Sequence, residues 1–272
     1  MKLSSIHFLH LLWLFYLLVF AEPAKAQKKI EAGIGGFAVS LPAYPGSADQ
    51  STYVLPFPYF YYKDDRVTVD REGVVGNLLD GDHWEIDVSF SGGIPVRSED
   101  AAIRTGMPDL DWTAEAGPRL LYYVLGNDER DAYIRTHLFV RKAYASDFRS
   151  ISDIGTKIGL GVEVLRKVTV FDEIVTWTNR LTVNWADDRN LNYFYGVAAQ
   201  YATSSRPMFT THSGYAGTEL SSGITVKVDN IWLGFFARYQ HFANTAQENS
   251  ALLEVGSNWT AGIGLVWVFY RK

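Results

Sequence analysis

The chain has 272 residues, no cysteine, and 25 Lys and Arg against 30 Asp and Glu. The lack of cysteine excludes disulfides, thiolate metal sites and a lipid anchor on a cysteine. The mild acidity gives no reason to expect a nucleic-acid partner. Sixteen Tyr, 16 Phe, 8 Trp and 23 Gly in a chain of this length suit one aromatic-rich β domain.

Residues 1–26 read as a cleavable export signal. Lys2 supplies the positive start, Ile6 to Phe20 an apolar stretch, and Ala24-Lys25-Ala26 the small residues of a cleavage site after Ala26. The apolar stretch is short for a membrane-spanning helix, which needs about 20 residues. Cleavage there leaves residues 27–272, with 23 basic and 29 acidic residues. No apolar run after Ala26 is long enough for a membrane helix, so a bilayer would have to be crossed by strands, closed so that no backbone edge meets lipid.

Taken in chain order, the remaining sequence is a series of alternating segments. Ile30–Val39, Tyr53–Tyr62 and Arg66–Asn77 come first; Pro56 and Pro58 suit the second to an edge or a bulge. In His83–Ser91, Trp84, Ile86, Val88 and Phe90 oppose Glu85, Asp87, Ser89 and Ser91. In Trp112–Val124, Ala114, Ala116, Leu120 and Tyr122 oppose Glu115 and Arg119. Ala132–Arg141 sets Ile134, Leu138 and Val140 against Arg135, His137 and Arg141, and Ile154–Val164 sets Ile158, Leu160 and Val162 against Lys157 and Glu163. Val175–Trp185, Asn192–Tyr201, Glu219–Val228, Ile231–Phe242 and Trp259–Tyr270 complete the series. Side chains alternate faces with period two along a strand, so each segment offers one face to lipid and one to a wetter interior.

The segments run to nine or more residues, against about five or six for soluble strands. Their apolar faces are bracketed by aromatics: Trp112/Tyr122, Trp177/Trp185, Tyr193/Tyr201 and Trp259/Trp267. Aromatic girdles at both interfaces and ten-residue alternation mark a transmembrane antiparallel up-and-down β-barrel of the Gram-negative outer membrane. The count is about 12 strands, with ten as the alternative. On the twelve-strand count the long stretch 94–111 falls on the periplasmic side, where short turns are the rule; it either folds into the lumen or shows the count wrong by one hairpin.

Glu72, Glu85, Asp87, Glu115, Arg119, Arg135, Arg141, Lys157, Glu163, Arg180 and Arg238 are expected to point into the lumen. They form either an ion-pair network that plugs a narrow barrel or the selectivity lining of a small-solute pore. The mixture of signs, and inward Phe139, Phe194, Trp232 and Phe236, favour the plug. Catalytic, cofactor and metal signals are weak. The four histidines after the signal form no H-x-x-x-H or H-E-x-x-H, and there is no G-x-S-x-G or P-loop. His212-Ser213 would suit a barrel hydrolase, though with no oxyanion-hole motif beside it.

Several stretches carry a family resemblance: Tyr44-Pro45-Gly46-Ser47 followed by Tyr53-Val54-Leu55-Pro56-Phe57-Pro58; Gly76-Asn77-Leu78-Leu79-Asp80; Gly106-Met107-Pro108-Asp109-Leu110-Asp111 leading to Glu115-Ala116-Gly117-Pro118; and Tyr193-Phe194-Tyr195-Gly196-Val197. In their order and spacing the chain resembles the MipA/OmpV family of outer-membrane proteins over about residues 30–269. Ala43 stands where the family often has an acidic residue, and Arg271-Lys272 follow the terminal aromatics. The resemblance implies a non-enzymatic scaffolding role at the cell envelope, bridging peptidoglycan synthases and lytic transglycosylases, with no catalytic residue to carry over. The reading from sequence is therefore a monomeric barrel surrounded by outer-membrane lipid and lipopolysaccharide. A narrow solute channel is the alternative and an outer-membrane hydrolase the third reading.

Overall fold

Ten long strands of 10–20 residues and three short ones make a single antiparallel sheet in a computed structural model. The structure describes residues 29–63, 67–70, 73–76, 79–81, 83–127 and 130–272. The proposed signal and Glu72 lie outside them. The strands are β1 (Lys29–Pro42), β2 (Gln50–Lys63), β3 (Val67–Asp70), β4 (Gly73–Gly76), β5 (Leu79–Asp80), β6 (Trp84–Gly93), β7 (Trp112–Leu125), β8 (Ala132–Ser146), β9 (Ile151–Val170), β10 (Glu173–Ala186), β11 (Gly214–Val228), β12 (Ile231–His241) and β13 (Ser257–Arg271). Their order is β4-β3-β2-β1-β13-β12-β11-β10-β9-β8-β7-β6-β5. Among the described residues no helix is long and apolar enough to cross a membrane.

The sheet rolls on itself. The first strand pairs with both β2 and the last strand, β13. Side chains from β1, β6 to β12 and β13 line one common cavity. The two ends of the ladder, β4 and β5, are neighbours in sequence, and β4 lies alongside β6. Beside this short hairpin the wall is incomplete among the described residues: β2 pairs with β3 only at Tyr62 and Lys63, and β6 with β5 only at Glu85 and Ile86. Among the described residues no strand pairs with the edges of β2 and β6 nearer the long loops. Pro56 and Pro58 stand two apart in β2, on the edge strand that proline tolerates because it has no N–H to give a ladder.

The rolled sheet is inside-out compared with a soluble barrel. Leu120, Leu138, Leu160, Leu181, Leu233 and Leu265 are exposed on the outer face, while Asp87, Glu115, His137 and Glu163 are buried on the inner one. The alternation in sequence dictates this, since a strand that carries its charges on one face must turn that face away from any apolar surroundings.

The two ends differ. Lys29 and Lys272, the first and last described residues, lie at one end with the two-residue turns Phe171-Asp172 and Asp229-Asn230, the end of β7 and the start of β8. Four longer connections meet at the other: 43–49, 94–111, 187–213 and 242–256 pack together as a cap around Tyr44, Leu110, Leu191, Tyr195, Val197 and Leu252.

Two expected strands are corrected. Residues 192–201 do not form one: Asp188–Tyr195 is a helix, α1, followed by a 3-10 turn at Ala199–Tyr201. Asp187 caps α1, its Oδ1 accepting from the Asn190 N–H at 2.8 Å, and the Ser213 hydroxyl accepts from the Asp188 N–H. Tyr193 and Tyr195 alternate like a strand, but the capping aspartate starts a helix that carries both rings into the cap. Within 66–77 the described residues form the short β3–β4 hairpin, not one long strand. The stretch 94–111 belongs to the end opposite the termini, so it is not on the same side as the short turns.

Candidate functional site: a layered lumen under a cap

The inner face is organised in layers along the strands. Nearest the termini, Glu31 is fully buried and accepts from Lys227 at 3.0 Å and Arg271 at 3.0 Å, the first reaching past two strands. Tyr59 donates to the same carboxylate at 3.4 Å. None of these residues stood among the expected lumen charges. The signal was present, because Glu31 and Lys227 each sit within an alternating segment.

The next layer centres on Glu163, which is 2% exposed. It accepts from Tyr133 at 2.7 Å, from Arg135 at 2.6 Å and from Arg180 Nε at 2.6 Å. Arg135 also donates to Tyr123 at 3.1 Å and stacks its guanidinium over the Tyr133 ring. The Tyr123 hydroxyl reaches Glu85 at 3.5 Å. Asp87, fully buried, holds Arg119 in a two-pronged pair at 2.9 and 2.5 Å. His137 meets the Thr182 hydroxyl at 3.0 Å.

Closer to the cap, Glu115 accepts from Lys157 at 3.0 Å and faces Arg141 at 3.6 Å. Arg141 donates to Ser89 at 3.0 Å and lies 3.9 Å above the Phe139 ring. Arg238 pairs with Glu219 at 3.3 Å and is more open. The expected inward charges from Asp87 to Arg238 are thus brought together on one face, each beside a charge of opposite sign, and Glu85 joins them through Tyr123. Phe139 fits because its cross-strand partner is Gly159: a Cβ there would run into the ring.

Of the expected girdle, Trp112, Tyr122, Trp177, Trp185, Trp259 and Trp267 are exposed on the outer face. Trp112, Trp185 and Trp259 lie towards the cap, and Tyr122, Trp177 and Trp267 towards the termini. Eight to ten residues between the rows give roughly 26–33 Å along a strand, or about 18–27 Å along the axis at a tilt of about 35–45°, a range that includes the ~25 Å band of an outer-membrane barrel. Tyr193 and Tyr201 leave this set, for they pack in the cap.

The cap is tied by phenols and guanidiniums. Tyr44 donates to the Leu252 carbonyl at 2.8 Å, Tyr195 to the Pro45 carbonyl at 2.8 Å, and Ser250 to the Tyr195 carbonyl at 2.7 Å. Tyr193 accepts from the Asp111 N–H at 2.8 Å. Buried Arg104 donates to the carbonyls of Phe194 at 3.0 Å and Pro108 at 3.2 Å. Buried Arg206 donates to those of Ile103 at 2.5 Å and Thr105 at 3.2 Å. Burial pushes the Tyr44 and Tyr195 phenols well above their usual range and pulls the Arg104 guanidinium down. Three of the sequence stretches that carry the family resemblance, beginning at Tyr44, Gly106 and Tyr193, meet here. Sequence reasoning missed this, having assigned them to a loop, the wrong side and a strand.

A family model for "MltA-interacting protein MipA" matches residues 34–269. The chain belongs to the MipA family. Membership supports an outer-membrane protein. No curated protein matches the chain. Among solved structures it is similar to the β domain of the Bordetella autotransporter BrkA, with 13% identity over 88% of this chain and 100% of that one and a TM-score of 0.39. It is also similar to a bacterial polysaccharide outer membrane secretin, with 10% identity, 88% and 99% coverage and a TM-score of 0.40. A third is the outer membrane protease OmpT from Escherichia coli, with 8% identity, 89% and 96% coverage and a TM-score of 0.32. At these scores the likenesses carry no argument about what this chain does.

Among the described residues no group of three or more His, Asp or Glu is placed to hold a metal. The Ser213 hydroxyl is occupied as an acceptor at the start of α1.

Proposed function

We propose that the chain is a monomeric ten-stranded outer-membrane barrel, with residues 1–26 as its cleaved signal, that works as a closed, non-enzymatic scaffold at the envelope. The observation that carries the closed reading is the stack of buried ion pairs across the lumen, centred on Glu31, Glu163 and Asp87, with the cap above it. Side chains fill barrels of about eight strands, and here paired charges and aromatics extend that filling to ten. Exposed leucines and two rows of Trp and Tyr on the outer face suit contact with membrane lipid and lipopolysaccharide. The family's description as interacting with MltA supports a murein-cleaving enzyme as partner.

In a barrel whose termini face the periplasm, the short turns at Phe171-Asp172 and Asp229-Asn230 are the surface such an enzyme would meet. A photo-crosslinking residue at Phe171, 96% exposed, should trap a lytic transglycosylase or murein synthase in intact cells. One at Met208 in the cap, 66% exposed, should not. Trapping from Met208 alone, or from neither position, would overturn the scaffold reading.

A further inference from the structure

On the outer face of β9–β11 three polar side chains stand together: Arg166, Asn179 and Ser222. Strand alternation puts Arg166 outward with Val162 and Val164, and Asn179 outward with Trp177 and Leu181. Among the described residues the outer face of β7–β13 carries one other Lys or Arg, Lys142, near the cap. Lys142 is already neutralised, pairing with Asp153 at 2.8 Å, which also takes Arg189 at 3.1 Å. Arg166 is exposed and has no carboxylate partner among the described residues. Its cross-strand neighbour on β10 is Trp177, of the girdle row towards the termini. Asn179 stands one outward position nearer the middle of the wall, about 7 Å along the strand. It faces Val164 of β9 and Ser222 of β11. The Ser222 hydroxyl accepts from the Trp177 Nε1–H at 2.9 Å, and no group among the described residues hydrogen-bonds the Asn179 carboxamide. Around this polar step the surface is apolar: Leu160, Val162, Val164 and Leu181 are each 41–49% exposed.

We propose that Arg166, Trp177 and Asn179 form a binding site for one glycerophospholipid of the periplasmic leaflet. Against hydrocarbon, a guanidinium without a counter-ion and a carboxamide without a partner are both costly. A glycerophospholipid supplies what each lacks, in the order the strands present them. Its phosphate, at the level of the girdle, takes the Arg166 guanidinium in a charge-assisted, two-pronged contact. Its ester carbonyls lie deeper, where the Asn179 N–H2 donates to one of them. Trp177, its N–H held by Ser222, walls the head on the β10 side. The acyl chains lie along Val162, Val164 and Leu181. Charge complementarity selects the phosphate, and the carboxamide selects an ester over an ether linkage. The inference rests on the membrane reading above, with the termini on the periplasmic side.

The test is native mass spectrometry of the full mature chain in detergent micelles, titrated with three probes of equal chain length. They are phosphatidylglycerol, its ether-linked analogue and diacylglycerol. One phosphatidylglycerol per chain should be retained, at least tenfold more tightly than diacylglycerol. Arg166→Gln should abolish that preference. Asn179→Leu should weaken phosphatidylglycerol at least threefold and leave the ether analogue unchanged. Lys142→Gln, at the other end of the wall, should change none of the three. Each variant alters an outward side chain and should keep the heat-modifiable migration of the parent on gels. Equal retention of phosphatidylglycerol and diacylglycerol, a preference that survives Arg166→Gln, or a matching loss in Lys142→Gln would overturn the site. Loss of ester and ether lipid alike in Asn179→Leu, or of neither, would overturn the carbonyl contact. A heat-modifiable barrel that inserts into vesicles but shows no lipid preference removes this inference alone. A chain that stays soluble without detergent and does not insert removes the membrane reading as well.

Discussion

Glu163 is the group whose loss should be felt most. Its carboxylate is 2% exposed and is shared by Tyr133, Arg135 and Arg180. Glu163→Gln keeps the shape and removes the charge, leaving two guanidiniums facing a neutral amide. Removing one partner from a buried pair costs about 3–5 kcal/mol. The Arg180 side chain is 29% exposed and Arg135 12%, so water recovers part of the loss, and the lower end, about 3 kcal/mol, is expected. Arg180→Gln leaves Glu163 still paired with Arg135 and should cost about 1–2 kcal/mol. Urea unfolding in phospholipid vesicles, followed by tryptophan fluorescence and by the folded band on unheated gels, measures both. Glu248→Gln, in an exposed part of the cap, is the control and should stay within about 0.5 kcal/mol of the parent. If Glu163→Gln matched that control, the buried layer would not hold the lumen shut and the reasoning would fail.

Other outcomes follow from single residues. The phenols of Tyr44 and Tyr195 are raised by burial above their ordinary value of 10.0, so the folded cap holds these protons more tightly than the unfolded chain. Their contribution is complete below pH 10 and shrinks as pH rises, by about 1.4 kcal/mol per phenol per pH unit above 10, so protease cleavage within 94–111 should increase steeply there. Gly155 takes φ +105° at the bulge where β9 meets α1, and a Cβ there would run into the Asp187 carboxylate and the Asn190 N–H; Gly155→Ala should undock α1 and expose the cap to the same protease at neutral pH. Phe171 and Asp172 both have positive φ in a two-residue turn. Replacing them with Asn-Gly should therefore raise stability by about 0.5–1 kcal/mol in the urea assay.

Legibility in the sequence followed period. Where a strand is long and one face carries the charges, as in β7, β8 and β10, alternation predicted which side chains would be buried, because the period of two leaves no other arrangement. It failed at Asn192–Tyr201, where alternating tyrosines imitate a strand but the Asp187 cap sets a helix. That failure added one spurious strand; counting Arg66–Asn77 as another, where the described residues form only the short β3–β4 hairpin, put 94–111 on the wrong side. The cap was not legible because its contacts join loops far apart in sequence, such as Tyr44 with Leu252 and Tyr195 with Pro45. The layer around Glu31 was missed because its partners, Lys227 and Arg271, come from the other end of the chain, and only closure of β1 on β13 brings them near.

The closed lumen is the central claim, and single-channel conductance of the refolded mature chain in a planar bilayer tests it most directly. Buried ion-pair layers beneath a docked cap predict a correctly inserted, heat-modifiable protein that passes no steady current, and the appearance of current when Glu163→Gln loosens the plug. Steady openings in the unaltered protein, shifting in ion selectivity when Arg180 is reversed to Glu, would contradict it.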